Sequence, residues 1–200
     1  MRSSTVHHRR SLRLQGYDYS TAGAYFVTIC IQDRACRFGD VTDGAMFLND
    51  AGEMLSALWD GIAARFANVE IDQFVVMPNH LNGILVLPDI DDKGATVADK
   101  RATARVAPTS ESVGAPLVGA LIQHVRLVDI VGAFKSLATV RYIEGVKSHG
   151  WPEFRGRFWQ RNYYEHVIRD ERSLDRIRRY IDENPVRWDL DEENPRNARP

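Results

Sequence analysis

Two hundred residues, 44% of them apolar, provide one globular domain with its own core and too little chain for two. A charged fraction of 26% excludes wholesale disorder, and no apolar run approaches the ~20 residues a membrane span needs. The formal net charge of −1 gives no overall pull toward nucleic acid, so any such role must come from how the charges are distributed.

Near the N-terminus, Arg2, His7, His8, Arg9 and Arg10 occur without the apolar segment of a secretion signal, so a cytoplasmic location is expected. Ala24 to Ile31 is β-branched and aromatic and predicts a strand. A turn-rich stretch, 39–44, follows. Asn49 and Asp50 then offer a cap for an amphipathic helix carrying Met54, Leu55, Leu58, Trp59, Ile62 and Phe66. Ile71 to Met77 predicts a second strand. Pro78-Asn79 breaks it before a third, His80 to Leu87, whose two faces are both apolar, the mark of a central strand.

From Pro88 to about His124 the chain is polar and aperiodic and reads as an insertion or loop. Leu127, Ile130, Val131, Phe134, Leu137, Val140 and Ile143 then predict a helix ending near Gly145. Tyr163 to Ile168 fits either a strand or a helix. Leu174, Ile177 and Ile181 predict a short last helix, stopped by Pro185. This order favours an α+β fold, one mostly antiparallel sheet with packed helices. Cys30 and Cys36 lack the further Cys or His partners of a zinc site and read as structural.

Two segments carry chemistry. In Met77-Pro-Asn-His-Leu-Asn-Gly83, strand alternation puts His80 and Asn82 on one face while Leu81 points into the core. Two polar side chains on a central strand need partners: a metal ion, a phosphate or a neighbouring loop. In Tyr180-Ile-Asp-Glu-Asn-Pro185, helical spacing sets Tyr180 and Asn184 on one face, with the phenol at the flank of the apolar stripe. That pattern fits either a group reaching a cleft or a tyrosine packed on the sheet beside a capping asparagine.

Charge is unevenly placed. Eight arginines lie between Arg155 and Arg179, against Glu165, Asp170, Glu171 and Asp175. Such a run is either a solvated helix face or a phosphate-binding surface, and arginine suits bidentate phosphate contacts. Trp151, Phe158, Trp159, Tyr163 and Tyr164 lie among them, as core residues or as platforms for unpaired bases. His166 reads either as structural or as a residue supporting the site from behind.

Met-Pro-Asn-His80 with Gly83-Ile84, Ile130-Val-Gly-Ala-Phe-Lys-Ser136, Phe158-Trp-Gln-Arg-Asn-Tyr-Tyr-Glu-His-Val-Ile-Arg169 and Tyr180-Ile-x-x-Asn-Pro185 together resemble the REP-associated tyrosine transposases. These belong to the insertion-sequence-200-like, single-tyrosine branch of the HUH nucleases. Arg9-Arg-Ser-Leu-Arg-Leu-Gln-Gly-Tyr-Asp-Tyr19 and Gly23 to Cys30 resemble the same family. The resemblance implies a single domain over 8–188 with an insert at about 89–124, leaving an arm at 1–7 and a polar tail at 189–200. It implies a ferredoxin-like sheet of HUH-nuclease type. Tyr180 is then the nucleophile on single-stranded or hairpin DNA, leaving a 5′-phosphotyrosine and a free 3′-hydroxyl. His80, Asn82 and Asn184 would hold Mg²⁺ or Mn²⁺. Arg9, Arg10, Arg13, Arg157, Arg161, Arg169 and Lys135 are the expected DNA contacts, and the chain is expected as monomer or homodimer. Asn82 stands where the family has its second histidine, and an amide oxygen is the weaker donor. A DNA-binding relic without catalysis is the alternative.

Overall fold

The computed structural model describes residues 21–66, 69–87 and 125–197. The arm, with Arg9, Arg10 and Arg13, and the insert at 89–124 lie outside the described residues.

Strand β1 (Gly23–Cys30) is followed by a hairpin of β2 (Gly39–Thr42) and β3 (Ala45–Leu48). Asp43 and Gly44 at its tip have φ of 51° and 73°, the left-handed pair that a two-residue hairpin loop requires. Helix α1 (Asp50–Asp60) starts at Asn49, whose side chain accepts the Gly52 N–H at 3.0 Å. The expected single helix breaks at Gly61, and α2 (Ile62–Arg65) continues it. Then come β4 (Glu70–Met77), β5 (His80–Leu87), α3 (Leu127–His149), β6 (Tyr164–Ile168) and α4 (Glu171–Glu183). The segment that fitted either element is therefore a strand.

Helix α3 runs past Gly145, its expected end, to a left-handed cap at Gly150 (φ 68°). Gly145 serves close packing instead: a Cβ there would lie 2.1 Å from Trp151 Cε3.

The main sheet has the order β4-β5-β1-β6 with every neighbouring pair antiparallel. The sequence β1-α1-β4-β5-α3-β6 in that order is the ferredoxin-like arrangement, an α+β fold. Alternation divides the sheet. One face presents Tyr25, Val27, Ile29, Leu81 and Leu85 to the buried residues of α1 and α3, with Trp59, Phe134 and Trp159 at the centre. The other presents Phe26, Ile84 and Ile168 to Ile181, with Leu174 and Ile177 alongside. Helix α4 thus lies alone on a thinner core. Phe158 and Trp159 are buried in the larger one, which answers the choice between core and base-stacking roles for these two.

Beyond α4 the chain does not trail off as a tail from residue 189. Two 3₁₀ turns, Trp188–Leu190 and Pro195–Asn197, fold against the start of β5, with Trp188 and Asn194 buried. No helix among the described residues is long and apolar enough to cross a membrane.

Gly83 tests the packing. It faces Val27 across the ladder, and a Cβ there would sit 2.7 Å from Trp59 Cζ2, an indole with no exposure. Gly83→Ala should therefore cost about 1–3 kcal/mol in urea unfolding through overpacking. An unchanged midpoint would show that the indole yields freely.

Candidate active site

The site is built where β5, β1, α4 and the last turns meet. Strand register brings Thr28 opposite Asn82 and Cys30 opposite His80. His80, Asn82 and Asn184 are all buried, with exposures of 1%, 0% and 2%, whereas Tyr180 is 41% exposed. The polar groups are inside and the phenol opens to solvent.

The hydrogen bonds run in one direction. Asn184 Nδ2 donates to the Tyr180 carbonyl at 2.9 Å, one helical turn back. A carbonyl only accepts, so the Asn184 oxygen must face away, and it accepts from Asn82 Nδ2 at 2.5 Å. Asn82 therefore turns its oxygen toward β1, where Thr28 Oγ1 donates to it at 2.6 Å. The chain from the helix backbone to the neighbouring strand is fully ordered, and it ties the helical turn bearing Tyr180 to the sheet.

Asn79 fixes His80 in the same way. Its amide nitrogen donates to the carbonyls of Arg34 and Glu193, at 2.8 and 2.7 Å. Its oxygen therefore faces His80 Nδ1, at 2.9 Å, and that nitrogen must carry the proton. The Nε2 lone pair is left pointing at Asp191 Oδ2, 4.0 Å away, while the Trp188 ring lies 6.0 Å from the imidazole. Burial lowers the His80 pKa to about 4, only partly offset by the Asp191 charge, so the ring is neutral at pH 7.

The Tyr180 phenol belongs to this cluster. Burial pushes its pKa above the ordinary value; hydrogen bonding from Asn184 and Asn82 restrains the rise, and the Asp191 charge adds to it. The phenol ring also packs edge-on against Phe26, centroids 5.8 Å apart. Helix α4 is held from its other side by β4. The ladder is irregular between Ile71 and Phe74, and the two residues inside that irregularity reach the helix. Asp72 takes a two-pronged bond from Arg178, and Gln73 bonds Asp182.

Of the expected site residues, Tyr180, His80, Asn82 and Asn184 come together. Arg157, Arg161 and Arg169 are exposed. Lys135 is half-buried on α3, the opposite side of the sheet, where Nζ donates to the Gln160 carbonyl at 2.7 Å. Thr28, Asn79 and Asp191 were not anticipated. Asn79 stands inside the motif beside His80, so proximity alone pointed to it; Asp191 is brought in only by the folding back of the last turns. Among the described residues no group of three or more His, Cys, Asp or Glu gathers that could hold a metal ion.

A protein of Haemophilus influenzae (strain ATCC 51907 / DSM 11121 / KW20 / Rd), described as uncharacterized, is 38% identical over 192 residues, covering 94% of this chain and 93% of that protein. The chain belongs to that protein's family. No protein-family model matches it. Similar solved structures include a REP-associated tyrosine transposase bound to a REP hairpin, 18% identical with a TM-score of 0.48, over 90% of this chain and 76% of that one. A Deinococcus radiodurans R1 protein described as a candidate transposase is 19% identical with a TM-score of 0.45, over 85% of this chain and 95% of that one.

The buried neutral imidazole makes a pH prediction for the metal-free protein. Its folded pKa of about 4 lies below the ordinary histidine value of 6.5, so the unfolded chain takes up the proton first as pH falls. Stability is thus fully present above pH 6.5 and is lost as pH falls toward 4. Urea unfolding at several pH values reads this slope, and His80→Gln should flatten it. Equal slopes in both proteins would contradict it.

Proposed function

We propose that the chain cuts and transfers DNA strands through Tyr180, acting on single-stranded or hairpin DNA. The observation that carries this reading is the meeting of an exposed phenol with a buried, oriented cluster of His80, Asn82, Asn184 and Asp191. The four motifs that resemble the single-tyrosine transposases supply the chemistry. The phenol oxygen attacks the phosphorus and loses its proton. The bond from phosphorus to the 3′-oxygen breaks, leaving a 5′-phosphotyrosine and a free 3′-hydroxyl. Storing the phosphodiester energy in that bond permits strand transfer without a nucleotide cofactor.

The donors fit a divalent cation. His80 offers an oriented Nε2 lone pair, and the Asn82 and Asn184 oxygens each keep a second lone pair beside the hydrogen bond already accepted. Mg²⁺ or Mn²⁺ bound there would supply positive charge for the phosphate oxygens and for the phenolate, whose formation the present surroundings oppose. The chain's own residues do the positioning. Asn184 and Asn82 hold the turn that carries the phenol, Phe26 packs edge-on against its ring, and Arg157, Arg161 and Arg169 are exposed cations suited to the DNA backbone.

The test is incubation of the protein and Tyr180→Phe with end-labelled DNA hairpins and Mn²⁺, scored for covalent adduct on a denaturing gel. The parent should form an adduct and the variant none. No adduct with the parent, or equal adduct with both, overturns the assignment.

A second reading, a DNA-binding relic, is favoured by the direct bond between Asn82 and Asn184, since each amide satisfies the other without an ion. It expects hairpin binding that weakens steeply with salt, no adduct, and cutting restored by Asn82→His at most.

A further inference from the structure

The contact between His80 and Asp191 is left unexplained by the motifs. Asp191 follows the first 3₁₀ turn, and its carboxylate is fixed by its own loop: Oδ1 accepts the Glu193 N–H at 2.7 Å. The Asn194 N–H bonds the Asp191 carbonyl at 3.2 Å and Asn197 Nδ2 bonds it at 2.9 Å. The turn is further anchored by Arg34, which bonds the Glu192 carbonyl at 3.0 Å and pairs with Glu193 at 3.2 Å. Asp191 is thus held still, with Oδ2 toward His80 Nε2.

Both facing atoms are electron-rich. The proton of the imidazole is on Nδ1, committed to Asn79, so a lone pair confronts a carboxylate oxygen across 4.0 Å. That separation is too long for a hydrogen bond. The imidazole is 1% exposed and cannot turn to water. Two such groups persist face to face when a positive charge lies between them. Donor distances of roughly 2.0–2.2 Å around a small divalent ion allow two ligands to lie about 3–4 Å apart.

We infer that Asp191 supplies the anionic oxygen of a divalent-cation site shared with His80, standing in for the charge-stabilising donor that Asn82 does not provide. Without it the site would hold one imidazole and two neutral amides around a double positive charge. Mg²⁺ and Mn²⁺ favour carboxylate oxygen, and Mg²⁺ sites commonly use one or two carboxylates with water or substrate phosphate completing the shell. The inference rests on the strand-transfer reading only for the purpose of the ion, and its test does not use DNA.

Mn²⁺ binding to the DNA-free protein is measured by titration calorimetry and by the loss of the free-ion resonance. Asp191→Asn keeps the Oδ1 acceptor for the Glu193 N–H, so the turn survives while the charge is gone. Affinity should fall about 10–100-fold with an unchanged melting temperature in the absence of metal. Asp191→Glu, which retains the charge, should bind more tightly than Asp191→Asn; this comparison stands even if the asparagine variant is destabilised. Asn82→His should bind more tightly than the parent. Equal affinities for the parent, Asp191→Asn and Asp191→Glu overturn the inference, as does a parent that binds no Mn²⁺ at millimolar concentration. The adduct assay then separates the two claims. Asp191-dependent binding without adduct leaves the cation site standing and removes the strand-transfer reading. An adduct with Asp191-independent binding does the reverse.

Discussion

Everything at this site depends on one amide pair, Asn82 on the central strand and Asn184 at the end of the last helix, joined over 2.5 Å in a setting with almost no solvent. Two buried amides would each be costly alone, since a polar group removed from water without a partner loses on the order of 1–3 kcal/mol. Paired with each other, with Thr28 and with the Tyr180 carbonyl, they become a link between layers that share few apolar contacts. The link also sets direction: reversing any one amide would bring two donors or two acceptors together. Specificity of position comes from this ordering, and the apolar contacts of Ile181 supply adhesion.

Much of this was visible in the chain. The apolar faces of the strand from His80 to Leu87 identified it as central, and alternation placed His80 and Asn82 together. The spacing of Tyr180 and Asn184 put both on one side of the last helix, and the phenol lies at the margin of the apolar stripe, as helical geometry required. Less was legible where the cause is non-local. The Asp43-Gly44 pair signals a hairpin, but four-residue strands are too short for periodicity to register. Gly145 carries the ordinary mark of a helix end, and only the indole of Trp151 pressed against it explains why the helix continues.

The acidic stretch from Asp189 to Glu193 illustrates the same limit more sharply. By composition it is solvated surface, as Asp189 and Glu192 are, while Glu193 is half-buried against Arg34. One member, Asp191, is turned inward because an asparagine 112 positions earlier, Asn79, claims the Glu193 carbonyl, and nothing in local sequence announces that pairing. Asn79 therefore acts as a hub, holding together the loop after β1, the imidazole and the closing turns.

The unequal thickness of the two cores has a consequence for motion. Among the described residues, the scaffold side of the sheet gathers twenty-two buried apolar residues, whereas the side bearing α4 gathers four. Segments with few apolar contacts open at lower free energy than the whole. The tyrosine thus rides on the layer that detaches first, held by polar ties on either flank, while the histidine strand stays with the rigid body. Amide hydrogens of α4 should accordingly trade with deuterium before those of β5.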